Sequence, residues 1–249
     1  MEAMILAAGA GTRLRPLTDR IPKALIEVRG RPLLAHVIDR LVAAGSTRII
    51  INVHHHEEQI RAFLERHAPP GIEIVLSPEP GGPYDTGGGL LAARPLFRRD
   101  GSFLLHNVDV LSQIPLDELV AAHHAARERS AKPLVASVAV QDRHTRRQLL
   151  FDAGGLLGWE NRDANGAVLA SHRVREPVDA FQRWSFTGIH VLEPTIFELC
   201  RRTGSFSIIA WYLDLARQGY AIVPVDVSAY EWIDVGTHER LAEVEAREP

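Results

Sequence analysis

The sequence predicts an α/β fold, a mostly parallel central sheet flanked by helices, with a small mixed lobe appended. Three features of the 249-residue chain predict it. Short apolar runs alternate with segments of helical hydrophobic spacing through the first half, as repeated strand–helix units do. Ile49-Ile50-Ile51 is apolar without alternation, the pattern of a strand buried on both faces. The first apolar run, Met4-Ile5-Leu6, passes directly into a glycine-rich turn, Ala7-Ala8-Gly9-Ala10-Gly11.

The elements follow in order. Ala3–Ala7 reads as a strand. Leu33, Leu34, Val37, Ile38, Leu41 and Val42 keep helical spacing and stop at Gly45. Arg48–Val53 is a strand, and Glu57–His67 a helix with Ile60, Phe63 and Leu64 on one side. Ile72–Leu76 reads as a strand, Gly88–Phe97 as a helix, Phe103–Val108 as a strand and Leu116–Glu128 as a helix. In such sheets ligands sit at the carboxyl ends of the strands, beside a switch point. The second half changes character. Pro133–Val140 is a strand, and Gln148–Phe151 and Leu156–Trp159 flank a turn at Asp152–Gly155, as in a hairpin. Trp184–Leu192 is a further strand, with helices at Thr195–Arg202 and Ser207–Gln218. Strands near Ile222–Val227 and Trp232–Val235 precede a last helix, Thr237–Ala246. No linker separates the halves, so 1–249 reads as one domain.

Composition narrows the class. Hydrophobic residues make up 46% and charged residues 24%, ordinary for a folded chain that can bury a core without staples. The net charge of −3 lacks the basic excess of a nucleic-acid binder. No apolar run approaches the roughly 20 residues of a membrane span, and no leader pattern opens the chain, so no membrane partner is expected. The single cysteine, Cys200, excludes an internal disulfide and fits a reducing cytoplasm. It falls in an amphipathic stretch and reads as packing. His54-His55-His56 and His123-His124 read as loop or surface residues, because adjacent side chains diverge and zinc needs converging ligands.

The glycine turn carries the chemistry. Gly9 and Gly11 let the backbone approach a bulky anion, Arg13 adds a permanently charged fork, and Lys23 adds a mobile point charge. Together they suit a nucleoside triphosphate. Leu14 occupies the place of the third glycine of a dinucleotide fingerprint, and no P-loop lysine follows, so neither of those motifs applies. Taken alone, the glycines equally suit an ordinary strand-to-helix turn. Asp109, just past the run Phe103-Leu104-Leu105, suits a metal ligand at a strand's carboxyl end or a solvated loop acid. Asp234, before Gly236-Thr237, suits a metal ligand or an acid near a helix start. Asp85-Thr86-Gly87-Gly88-Gly89 permits close backbone contact with a base or ribose, or a tight turn.

The whole string Gly9-Ala10-Gly11-Thr12-Arg13-Leu14-Arg15-Pro16-Leu17-Thr18, then Pro22-Lys23-Ala24-Leu25, resembles the signature of the sugar-1-phosphate nucleotidyltransferases. That pattern is G-x-G-T-R-L-x-P-L-T, a spacer, then P-K-x-L, and every fixed position is present. Trp232-Ile233-Asp234-Val235-Gly236-Thr237 matches the family's W-x-D-x-G-T segment. The resemblance spans most of the chain and is weakest from Ala131 to Arg183. Within the family it is nearest to short bacterial enzymes of the muramate-1-phosphate uridylyltransferase and mannose-1-phosphate guanylyltransferase type.

The resemblance implies a Rossmann-like, glycosyltransferase-A-like nucleotidyltransferase fold. Its half at 1–130 binds nucleotide, and 131–249 binds the acceptor and supplies the second metal carboxylate. It implies catalytic roles for Arg13, Lys23, Asp109 and Asp234, with Mg²⁺ held by the two aspartates. It implies nucleotide contacts from Leu6, Ala7, Ala8, Gly9, Gly11 and Thr12, along with Arg13, Lys23, Glu79, Gly87 and Gly88. Acceptor contacts fall to Glu160 and Asn161. The substrates are an NTP, with UTP favoured, and a sugar 1-phosphate; the enzyme is a monomer or small homo-oligomer. Two departures stand out. Val108 replaces a common glycine before the metal acid, narrowing the space near the ribose, and Asn161 replaces an acceptor lysine, for which Arg143, Arg146 or Arg147 are the local cations. Glu79 can accept from a base N–H but cannot donate to a carbonyl, so the base stays open. A cytidylyltransferase acting on phosphocholine and a catalytically idle nucleotide-sugar-binding protein remain alternatives. A glycosyltransferase is disfavoured, since His106–Val110 holds one aspartate where a D-x-D motif needs two.

Overall fold

The structure, a computed structural model, describes residues 1–246. Strands are β1 Glu2–Leu6, β2 Glu27–Val28, β3 Arg31–Pro32, β4 Arg48–Val53, β5 Glu73–Pro78, β6 Phe103–Asn107 and β7 Val110–Ser112. They continue as β8 Leu134–Gln141, β9 Arg147–Asp152, β10 Gly155–Arg162, β11 Val168–Arg173, β12 Gln182–Leu192, β13 Ala221–Asp226 and β14 Trp232–Asp234. Helices are α1 Leu33–Ala43, α2 Glu57–His67, α3 Asp85–Ala92, α4 Leu116–Arg129, α5 Ile196–Leu199, α6 Ile208–Arg217 and α7 His238–Ala246. Among these residues no helix is long and apolar enough to cross a membrane.

The main sheet is mixed. Strands β5, β4, β1 and β6 run parallel, each joined by a helical crossover. β12 then inserts antiparallel beside β6, and β8 and β13 complete that side. β12 serves two sheets. Its carboxyl-terminal half pairs with β6 and β8, while Gln182–Trp184 pairs with β9, which leads to β10 and β11. The bend between the two halves coincides with a register shift between Phe186 and His190. Gly188 lies there at φ +82°, and a Cβ on it would stand 2.6 Å from Asn107 Nδ2, so the strand turns where only glycine fits.

Each face of the sheet buries its own core. One packs Met4, Phe103, Leu105 and Val138 against Leu90 of α3 and Trp211 and Leu215 of α6. The other packs Ile5, Ile49, Ile51 and Leu104 against Val37 and Leu41 of α1, Ile60 of α2 and Leu119 of α4. A third, small cluster joins Leu14 of the glycine loop to Ile233 and Val235 beside β14.

Most expected elements are present within a few residues. The helix expected over Gly88–Phe97 is displaced: α3 begins at Asp85 and ends at Ala92, so Gly87 joins Gly88 and Gly89 inside it. Glycine disfavours helix interiors, yet all three are buried: residues 204–206 pass against Gly87 and Gly88, and the Glu79 and Asn52 side chains lie against Gly89. A Cβ on Gly88 would be 2.5 Å from the Gly204 carbonyl oxygen, and one on Gly87 would be 2.6 Å from the Phe206 ring. The segment expected to be a helix over 195–202 keeps only α5. The exposed edge strand β11 carries no burial pattern and was not anticipated. The two- and three-residue strands β2, β3 and β7 were also not anticipated.

Two expected outcomes follow from the packing. Gly88→Ala lowers the melting temperature, corresponding to a loss of about 1–3 kcal/mol from overpacking. An exposed helical glycine would instead gain stability on the same change, and a higher melting temperature would refute the tight contact. His190, wholly buried with Nδ1 on the Tyr212 hydroxyl at 2.8 Å, has its pKa pushed down to about 3, chiefly by burial. Below an unfolded value of about 6.5, the unfolded chain takes up a proton that native His190 refuses, so stability falls as the pH drops from there toward 3, by up to about 1.4 kcal/mol per pH unit. Melting curves between pH 7 and 4.5 should show a shallower slope for His190→Gln, and equal slopes would remove His190 as the cause.

Candidate active site

The glycine loop is folded back on itself. Gly11 sits at φ +59°, and a Cβ there would lie 2.7 Å from Thr18 Cγ2, while the Thr18 hydroxyl donates to the Gly11 carbonyl at 2.9 Å. Three short 3₁₀ turns follow, at Thr12–Leu14, Leu17–Asp19 and Lys23–Leu25. Burial of Leu14 and Ala24 anchors the first and third turns, leaving Arg13 exposed and turning Lys23 inward. The Lys23 ammonium donates to Asp109 Oδ2, with only a tenth of its side chain exposed.

The two distant acids meet through a short ladder. Strands β7 and β14 pair antiparallel, with Asp234 opposite Val110, and the Val235 N–H donates to the Asp109 carbonyl at 2.7 Å. Asp234 Oδ1 accepts from the Gly236 N–H at 3.1 Å. A Cβ on Gly236 would stand 2.8 Å from Arg13 Nη2 and 2.9 Å from Asp234 Oδ1, so the missing side chain leaves room for both. Arg143 stacks on the Trp232 ring, 3.8 Å from its centroid. Burial lowers the Arg143 pKa, and nearby Asp234 opposes that by favouring its charge.

A cavity of about 180 Å³ opens at the carboxyl ends of the parallel strands. Leu6, Asn52, Glu79 and Asn107 line it from the sheet, Ala8 and Gly9 from the loop, and Lys23, Val108 and Asp109 from its floor. The position of Gly9 is open, with nothing near where its Cβ would be. Ala7 is turned away: its N–H donates to Asn52 Oδ1 at 2.6 Å. Asn52 in turn donates to Glu79 Oε1 at 2.7 Å, and Glu79 Oε2 accepts from the Tyr84 N–H at 2.7 Å. Glu79 is therefore a buried brace for the 79–84 turn as well as a lining residue.

The structure corrects the expectation for Gly87 and Gly88. Their N–H groups donate to the Phe206 carbonyl at 2.9 and 3.1 Å, which commits them to packing. Asp85 and Thr86, just before them, line the cavity instead. Asp85 stands at φ +59°. Sequence reasoning also missed Asn52 and Asn107. The available signal was a polar amide at the end of each of two buried apolar strands.

A second cavity, of about 530 Å³, shares Asp85 and Thr86 with the first. Trp159 and Asn161 line it from β10, Leu149 and Arg147 from β9, and Ile208 and Leu213 from α6. Strand alternation sends Glu160 to the opposite face, where its Oε2 accepts from Arg162 Nη2 at 2.7 Å and Arg183 Nε at 2.9 Å. Glu160 is thus an ion-paired structural residue and Asn161 the one that faces the cavity. Of the three local arginines, Arg147 lines this space.

The histidines divide. His54 Nδ1 meets the Glu79 carbonyl at 3.0 Å in the loop before α2, and His55 is exposed. His123, expected at the surface, is fully buried between Ser137 Oγ and Glu193 Oε1, each at 2.9 Å. Helix α4 needs a polar residue there because β8 presents a buried serine. Among the described residues no three His, Cys, Asp or Glu side chains gather as a metal site.

Comparison with known proteins agrees with this geometry. Residues 2–148 match the Nucleotidyl transferase family. The chain is 34% identical to the N-acetylmuramate alpha-1-phosphate uridylyltransferase of Neisseria meningitidis over 99% of its length and 97% of that protein. It is 29% identical to the enzyme of that name from Caulobacter vibrioides, covering 98% and 96%. Among mannose-1-phosphate guanyltransferases, that of Eremothecium gossypii is 30% identical over 95% of this chain and 61% of its own. The fold matches the UDP-glucose pyrophosphorylase of Acinetobacter baumanii, with a TM-score of 0.76 at 18% identity, covering 98% and 91%. It also matches the inositol-1-phosphate CTP transferase of T. maritima, with a TM-score of 0.70 at 17% identity, covering 100% and 97%. Signature loop, sheet order and full-length similarity agree, and the chain belongs to the nucleotidyl transferase family of enzymes.

Proposed function

We propose that this enzyme transfers a nucleoside monophosphate from UTP to a sugar 1-phosphate, giving a UDP-sugar and pyrophosphate. The observation that carries the proposal is the Lys23–Asp109 ion pair on the wall of a cavity at the strand ends, with Asp234 on the strand that pairs beside it. Full-length similarity to two uridylyltransferases supports the base and makes N-acetylmuramate 1-phosphate the first acceptor to try. In this reading residues 1–130 hold the nucleotide, and 131–249 form the acceptor wall and contribute Asp234.

A phosphate oxygen of the acceptor is already anionic at neutral pH, so the reaction needs no strong general base. It attacks the α-phosphorus in line with the departing pyrophosphate, and catalysis rests on positioning and charge neutralisation. Lys23, poised on Asp109, bridges the α-phosphate and the incoming phosphate. Arg13 reaches over the loop to the β- and γ-phosphates. Asn52 and Glu79 hold the wall against which the nucleoside lies, while Asn161 and Arg147 face the acceptor.

The donor set fits Mg²⁺, which rests on one or two carboxylates and completes its shell with substrate oxygens and water. Asp109 and Asp234 are hard oxygen donors on neighbouring strand ends, and Asp234 Oδ1 is held by one backbone N–H. These two residues would hold the ion, and when bound it would neutralise charge on the phosphate oxygens.

Lys23→Ala should lower turnover at least a hundredfold, about 3 kcal/mol of transition-state stabilisation. Near-normal turnover would remove Lys23 from the reaction. A matrix of four nucleotides against several sugar phosphates, read by pyrophosphate release with Mg²⁺, tests the substrates. Release is expected with UTP. Silence in every combination while nucleotide still binds would overturn the proposal in favour of an idle binding protein.

A further inference from the structure

Arg147 and Asn161 stand directly opposite each other across the β9–β10 ladder, and both line the larger cavity. Residues opposed in this way in an antiparallel pair have Cβ atoms about 5 Å apart, close enough for their side chains to share one ligand group. Arg147 is exposed, and its guanidinium has no ion pair or hydrogen bond among the described residues. Asn161 is half-buried; its amide likewise has no partner among them and is not enclosed by protein. Other polar side chains on this cavity are engaged. Gln148 donates to the Arg143 carbonyl at 3.4 Å, Thr86 Oγ1 accepts from the Ile208 N–H at 2.9 Å, and Ser207 Oγ accepts from the Ile209 N–H at 3.2 Å.

The two cavities set the charges of an acceptor apart. Lys23 and Asp109 line only the smaller one, Arg147 and Asn161 only the larger, and Asp85 and Thr86 line both. An acceptor whose phosphate reaches Lys23 therefore presents a different group to Arg147. Among the described residues Arg147 is the only cation lining the larger cavity, and Asp85, at the seam, the only carboxylate. Trp159, Leu149, Phe186, Ile208 and Leu213 give it apolar walls.

A single guanidinium balances a monoanion. Its planar fork, with an amide N–H beside it, matches the two oxygens of a carboxylate. A second phosphate, carrying up to two charges, would leave one uncompensated against apolar surface. We propose that Arg147 and Asn161 determine specificity for an acidic sugar, one that carries a carboxylate in addition to its reacting phosphate. This rests on the reading above, in which the sugar 1-phosphate occupies the larger cavity.

Equilibrium dialysis of the full chain, with UTP present and divalent metal chelated so that no turnover occurs, tests the proposal. The probes are N-acetylmuramate 1-phosphate, whose lactyl ether ends in a carboxylate, and its carboxamide, the same molecule without that charge. The wild type should bind the acid at least about tenfold more tightly than the carboxamide, and Arg147→Gln should bring the two affinities to within about threefold of each other. Arg147→Lys, which keeps the charge but not the fork, should retain part of the preference. Asn161→Asp, which gives Arg147 a carboxylate of its own, should lower it. The proposal is overturned if the wild type binds both probes alike or neither, or if Arg147→Gln keeps the full preference. Pyrophosphate release with Mg²⁺ is read separately. Silence with every acceptor while the binding preference persists would overturn the assigned reaction and leave the carboxylate site standing.

Discussion

A pairing of two three-residue strands governs this molecule. Strands β7 and β14 are too short to be stable alone, yet their pairing brings Asp109, just before β7, and Asp234 to neighbouring positions from distant parts of the chain. Packing holds them. Ile233 and Val235 bury against Leu14 of the glycine loop, Val28 of β2 and Leu33 at the start of α1. The loop that carries Arg13 and the strand that carries Asp234 thus share one small core. Bringing two acidic segments together gathers negative charge in one place. Lys23 offsets this at Asp109 through a direct ion pair. Arg13 and Arg143 stand near Asp234, Arg143 steadied by its stack on Trp232. The same charges that make the site tolerable without substrate suit it to a polyanion.

The wall of the larger cavity is organised by β12. A strand that belongs at one end to the main sheet and at the other to the β9–β10–β11 lobe ties the two cavities into one surface, with Asp85 and Thr86 at the seam. Along β10 the two-residue period of a strand sorts adjacent side chains into different tasks. Trp159 and Asn161 face the cavity, and Glu160 locks Arg162 and Arg183 on the far side.

Legibility in the sequence followed the physics of each signal. The strand–helix alternation could be read because helices α1 and α2 show amphipathic spacing and β4 a continuous apolar run. The loop could be recognised as a family signature because Gly9, Gly11, Arg13 and Lys23 keep the spacings of the nucleotidyl transferase pattern, and the family match over residues 2–148 agrees. The glycines of α3 misled because composition reports backbone freedom but not its purpose: here the freedom serves contact with Gly204 and Phe206, residues far along the chain. Glu160 misled because a motif position names a residue without its face. His123 misled because its partners, Ser137 and Glu193, become neighbours only in the folded molecule. Asn52 was passed over as the end of an apolar run, although a buried amide there had to hydrogen-bond something.

The central claim is that Asp109 and Asp234 act as one unit, which a double-mutant cycle on turnover tests most directly. If they work together, Asp109→Asn and Asp234→Asn each lose most of the activity, and the double variant loses little more than the worse single one. Losses that multiply as if the two sites were independent would contradict the account.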